Sequence, residues 1–180
     1  MKSFPIITVI GLLFCISSAT AQEGQEDTAI ISTVDYKYAL GVRGGAVTGF
    51  NAKMMIAPQD AIEVIGGSGW KYSGLQLIAL YERHAGAFQS HVDGMNWFFG
   101  GGLHTGLYDN VSYKNINRDV PSKSGDYLVV GIDGILGIEY FIGEIPFTLG
   151  LDIRPTLDIV PKPDFFLAGA ISIRYAWGRQ

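Results

Sequence analysis

Chemistry in this 180-residue chain would have to start from three histidines and a scatter of ionisable residues. His84, His91 and Asp93 fall close together between two strand-like segments. Imidazole and carboxylate are zinc ligands, so a metal site is the first chemistry to weigh. Their spacing matches no metal-binding motif, and solvated histidines explain them as well, so no metal is expected. His104 could serve as a general base, as in lipid-modifying barrel enzymes, which need an activated nucleophile beside the histidine. Thr105 is its neighbour, but alternation along a strand sends that hydroxyl to the opposite face, and the residue two further on is Gly106. His104 therefore reads as an interior packing histidine. Catalytic residues and cofactors are expected to be absent.

The second group is larger. Arg43, Lys53, Arg154 and Arg174 share one strand face with Glu63, Glu82, Asp133, Glu139 and Asp152. Such a set could line a selective pore or a proton path. It could equally be a salt-bridge network that fills a closed interior, because buried charges must pair. The network reading is preferred, since a barrel of eight strands leaves only enough room for side chains. Gly66, Gly67, Gly69 and the run 100–102 suggest a phosphate loop, yet no lysine–hydroxyl ending or helix follows. They suit strand bends and close interior packing. Asn110-Val111-Ser112 matches a glycosylation sequon, taken here as a chance match.

These residues need elements to hold them, and alternation supplies those elements. Leu128, Val130, Ile132, Leu136, Ile138 and Tyr140 share one face; Val129, Gly131, Asp133, Gly137 and Glu139 share the other. The pattern recurs between Gly, Pro, Asn and Asp clusters. Eight strands are expected at about 37–47, 50–57, 60–68, 72–83, 95–107, 127–140, 146–157 and 165–177. Turns are expected at Thr48-Gly49 and at 58–60; a two-strand reading of 38–67 stays open. One face is uniformly apolar, and the other is small or charged with almost no lysine. A greasy outside and a crowded polar inside describe a transmembrane β-barrel. No segment reaches the length of a transmembrane helix.

Aromatic placement supports this orientation. With both termini on one side, Tyr38, Trp97 and Phe147 begin strands on that side, while Tyr81, Tyr140 and Trp177 end there. All six lie on the apolar face, as an interfacial girdle requires. The longest connection, 108–126, then lies on the far side, where a ligand could meet it.

Composition narrows the class further. A net charge of −4 offers no basic field for nucleic acid. A single cysteine, Cys15, excludes a disulfide framework. Lys2, the apolar run 6–16 and the small residues up to Ala21 read as a secretory signal peptide over 1–21. Residues 22–36 read as a periplasmic tether, 37–177 as the barrel and 178–180 as a tail.

On these features the chain resembles the small eight-stranded outer-membrane barrels of the OmpA/OmpX-like class. The tracts 80–84 (LYERH) and 96–104 (NWFFGGGLH) look like those of uncharacterised members. The resemblance implies an outer-membrane barrel among lipids and supplies no activity; the chain is expected to be a monomer. The chain departs from it at the end, where Gly178, Arg179 and Gln180 follow the expected terminal aromatic, Trp177. Two other readings stay open: a lipid-modifying barrel enzyme, and a soluble periplasmic lipocalin-like carrier with the barrel inverted.

Overall fold

The computed structural model describes residues 34, 36–69, 74–86, 94–108, 127–142 and 145–178. Eight strands follow in chain order: β1 (Tyr38–Gly45), β2 (Val47–Met55), β3 (Asp60–Gly69), β4 (Gly74–Gly86), β5 (Met95–Tyr108), β6 (Tyr127–Ile142), β7 (Phe147–Val160) and β8 (Asp164–Trp177). Each pairs antiparallel with its sequence neighbour, and β1 pairs with β8 to close the barrel. Closure leaves no sheet edge where β1 meets β8 over Tyr38↔Trp177 to Gly45↔Ala170.

The split of the first third into three strands follows from local backbone chemistry. The sequence placed the first turn at Thr48-Gly49; the chain instead reverses around Ala46, and Thr48 and Gly49 are β2 residues paired with Ser68 and Gly67. Gly45 permits the earlier reversal, with φ of 147°, a conformation that L side chains rarely adopt. The Thr48 hydroxyl donates to the Gly45 carbonyl at 3.3 Å.

Alternation sorts the side chains into two environments. Leu40, Phe50, Val64, Leu77, Leu103, Ile132, Leu151 and Ile171 point outward from the eight strands, and Ile171 is 62% exposed. Inside, Val47, Ile65, Ile78, Leu80, Phe98 and Ile135 form one apolar cluster. Val34, Tyr36, Ala39, Met55, Ala61 and Ala176 form another, at the end where β1 begins and β8 finishes, referred to below as the terminus-bearing end. A third, smaller cluster joins Tyr108 and Val129, with Tyr127 against it, and most of the other buried side chains among the described residues are polar or charged.

β4 and β7 run further than alternation alone suggested. β4 continues through His84, Ala85 and Gly86, which pair with Phe98, Trp97 and Asn96. His84 is therefore not a connection residue. β7 continues to Val160, bringing Asp158 onto the wall. The register of β6 against β7 shifts between Val130 and Gly131, so Val130 faces Val160 while Gly131 faces Asp158.

Candidate functional site

All nine interior charges singled out in the sequence are buried. They gather into two groups along the lumen. Nearer the termini, Lys53 on β2 lies 2.7 Å from Glu82 Oε2, 3.2 Å from Glu139 Oε2 and 4.0 Å from Glu63 Oε2. Arg174 on β8 spans two carboxylates, donating from Nη1 to Glu139 at 2.7 Å and from Nη2 to Glu63 at 2.9 Å. Its planar fork allows both bonds at once. Asn51 donates to Glu63 Oε1 at 2.6 Å. Five strands are tied together here.

Phe98 supports this group from β5. Its ring lies 4.4 Å from Lys53 Nζ, close enough for a cation–π contact. It also stacks on His84 at 5.3 Å. His84 Nε2 faces Glu82 at 3.3 Å. His84 is thus a fully buried lumen residue and not the solvated partner of His91 and Asp93, which lie outside the described residues.

The second group sits further from the termini. Arg43 on β1 grips Asp152 on β7 through both guanidinium nitrogens, one bond measuring 2.8 Å. Arg154 Nε lies 3.5 Å from Asp133 Oδ1, which also accepts from the Thr156 hydroxyl at 2.8 Å. His104 Nδ1 lies 2.8 Å from Asp133, and its Nε2 lies 2.9 Å from Asp158. The imidazole thus ties β5 to β6 and β7. Both ring nitrogens are taken by carboxylates, so neither is left to activate a nucleophile.

Three participants go beyond the nine charges that the sequence pattern puts inside. Asp158 lay one residue past the expected end of its strand, although Asp152, Arg154, Thr156 and Asp158 continue one parity. His84 likewise continues the parity of Glu82. Tyr36 is different: it precedes β1, is buried, and donates its phenol to Glu139 Oε1. Burial and the neighbouring Glu139 carboxylate hold its proton well above the usual tyrosine range. Tyr36 was assigned to the polar tether, and in the structure it is part of the barrel interior.

The aromatic residues expected to form a girdle all point outward near the terminus-bearing end. Tyr38 stacks on Trp177 at 5.9 Å, Trp177 on Tyr175 at 5.9 Å, and Tyr175 meets Phe147 edge-on at 5.6 Å. This ribbon crosses three adjacent strands. Trp97 stacks on Phe99 at 5.2 Å, and the Tyr81 hydroxyl donates to Asp60 at 2.8 Å. Tyr140 is half-buried on the same outer surface.

The signal-like residues 1–21, the segment 22–33 and residues 109–126 with their sequon lie outside the described residues. Among the described residues, no group of three or more His, Cys, Asp or Glu is arranged to hold a metal ion. The chain matches no family model, no curated protein and no solved structure.

Proposed function

We propose that this protein is a non-enzymatic, monomeric barrel of the bacterial outer membrane, sealed along its lumen, which presents the connection 108–126 to the exterior. The observation that carries this reading is the inverted distribution of polarity. Nine buried charges of the sequence pattern lie inside beside small apolar clusters, and large apolar side chains cover the outside of all eight strands. Leaving a Leu-sized side chain half exposed to water forgoes about 1 kcal/mol of burial. Repeated over eight strands, that loss rivals a whole domain's stability of about 5–15 kcal/mol. A hydrocarbon surrounding removes the loss, and a closed barrel is the β-structure that satisfies every backbone group there.

The outer aromatic ribbon supports the same reading, because Trp and Tyr favour the level of lipid headgroups. A lipocalin-like carrier would need an apolar cavity inside and a hydrated wall outside, the reverse of this arrangement. A lipid-modifying enzyme would need a free base, and both His104 nitrogens face carboxylates.

Membrane fractionation with gel mobility tests the proposal. The protein should stay with outer membranes through a salt wash and be released by detergent. It should migrate at two positions, one unboiled and one boiled, because the closed backbone network resists detergent until heated. Release by salt with a single gel position would overturn the reading.

A further inference from the structure

Three carboxylates and two cations meet in the cluster nearer the termini: Glu63, Glu82 and Glu139 against Lys53 and Arg174. All five are buried, with at most 2% exposed. Fully ionised, they would leave one negative charge uncompensated out of reach of water, a state that buried groups avoid by neutralising.

The donors around each carboxylate locate the surplus. Both oxygens of Glu139 are served: Oε1 accepts from the Tyr36 phenol, and Oε2 accepts from Arg174 and faces Lys53. Glu63 Oε1 accepts from Arg174 and Asn51. Glu82 Oε2 faces Lys53 Nζ and His84 Nε2. Glu63 Oε2 and Glu82 Oε1 remain, both buried and without a hydrogen-bond partner. They belong to adjacent strands, β3 and β4, where Glu82 faces Ala61, two residues from Glu63. The two side chains lie within hydrogen-bond reach of each other. Two ionised carboxylates cannot bond, whereas a carboxylic acid donates to a carboxylate in a strong, charge-assisted bond.

His84 is the competing home for a proton. An imidazolium would carry a second N–H at Nδ1, and that atom is buried without a partner. The neutral ring needs only its Nε2 contact with Glu82. The other facing groups are already engaged: Arg43 on β1 by Asp152 on β7, and Tyr36 by Glu139, while Phe98 on β5 is apolar.

We propose that Glu63 and Glu82 form a binding site for one proton, carried on Glu82 Oε1 and donated to Glu63 Oε2. The proton makes the five-group cluster neutral and adds a bond between β3 and β4. Glu63 stays the anion, because Arg174 and Asn51 both donate to its other oxygen. The site goes beyond the membrane reading and does not depend on it, since the cluster is buried whatever surrounds the wall. An unfolded glutamate ionises near about pH 4.3. At neutral pH folding therefore takes up a proton here, and stability falls as pH rises until the folded pair gives the proton up.

Infrared spectroscopy of the full chain, folded in a detergent without ester groups, tests the site. At neutral pH the folded protein should show a protonated-carboxyl C=O band that shifts in deuterium oxide. The band should vanish in Glu82→Gln and in Glu63→Gln, because either amide can donate to the remaining carboxylate and either change removes the surplus charge. Absence of the band from the parent protein would overturn the site whether or not the variants fold, and so would a band that survives either substitution. Urea unfolding gives an independent reading. Between about pH 6 and 8 the unfolding constant of the parent relative to Glu82→Gln should rise close to tenfold per pH unit, as one proton requires. A ratio that does not move with pH would mean that Glu82 is ionised in the folded protein, and would overturn the site.

Discussion

Gly131 on β6 faces His104 on β5, and the imidazole occupies the space that a side chain at Gly131 would need. A Cβ there would strike the ring at Cε1 and Nε2, and also the Leu157 carbonyl on β7. The absence of a side chain on one strand is thus what lets the next strand's histidine reach Asp158. Gly131→Ala should displace the ring, break at least one of its carboxylate contacts and cost about 1–3 kcal/mol as overpacking. Gly66→Ala is the control, because its Cβ would meet nothing within 4 Å. Urea unfolding in lipid vesicles should separate the two variants; equal midpoints would refute the steric coupling.

Arg174 provides the second prediction. It is fully buried and serves Glu139 and Glu63 together. Arg174→Met should destabilise the barrel by about 3–5 kcal/mol, because two buried carboxylates lose a partner. Adding Glu63→Gln should recover part of that loss, since residues in one network couple by about 0.5–3 kcal/mol. A double-mutant cycle measured by unfolding would show the two changes to be non-additive. Strict additivity would dissolve the network.

The barrel and the membership of its charged interior were legible because a strand's period of two leaves little freedom. Once Asp133 and Glu139 share a face with small residues, the register of β6 follows. Strand ends were less legible. Asp158 and His84 obey the alternation, but the turn residues beyond them, Pro161 and Gly86, leave a few residues of freedom in where each strand stops, and the partner strand decides it. Tyr36 was illegible for a different reason. Its inward turn depends on backbone bonds from Met55 and the end of β8, which no local pattern near Tyr36 encodes. Pairing was likewise hidden: composition shows near-balance of charge, but only the closed register says that Arg43 meets Asp152 and not Asp133.

The phenol of Tyr36 gives a pH prediction whose sign follows from burial. Its pKa is raised above the unfolded value of about 10, so the neutral form is favoured in the folded protein. The stability it contributes is fully present below about pH 10 and is lost as pH rises from there through the folded value. Ultraviolet titration of tyrosinate should therefore show a late-ionising group that is missing in Tyr36→Phe. The stability gap between the two proteins should shrink at alkaline pH. A Tyr36 that ionised with the exposed tyrosines would contradict its burial.

The outward face is tested by charge. Ile132 and Leu151 lie on neighbouring strands, both exposed and apolar. In lipid, Ile132→Arg or Leu151→Arg should cost about 2–4 kcal/mol near mid-depth. Ser172→Asn, on the buried face, adds no charge and should act through crowding alone. Folding yields into vesicles should drop for the arginine variants. Unaffected yields would mean that this surface does not meet hydrocarbon.

The last prediction is that the barrel does not conduct ions. Barrels that carry an aqueous channel have about 16–18 strands, and eight leave an interior just filled by side chains. Here the filling is specific. Arg174 crosses from β8 to carboxylates on β6 and β3. Phe98 lies against Lys53 and His84, with Ile65, Ile78, Leu80 and Ile135 in the same apolar cluster. An ion on this path would have to break ion pairs whose buried members cost several kcal/mol to leave unpaired. It would then have to pass an apolar layer that offers no replacement for its hydration shell. The protein, reconstituted in a planar bilayer, should give flat current traces. Reproducible single-channel steps that disappear when the sample is boiled would refute the sealed lumen.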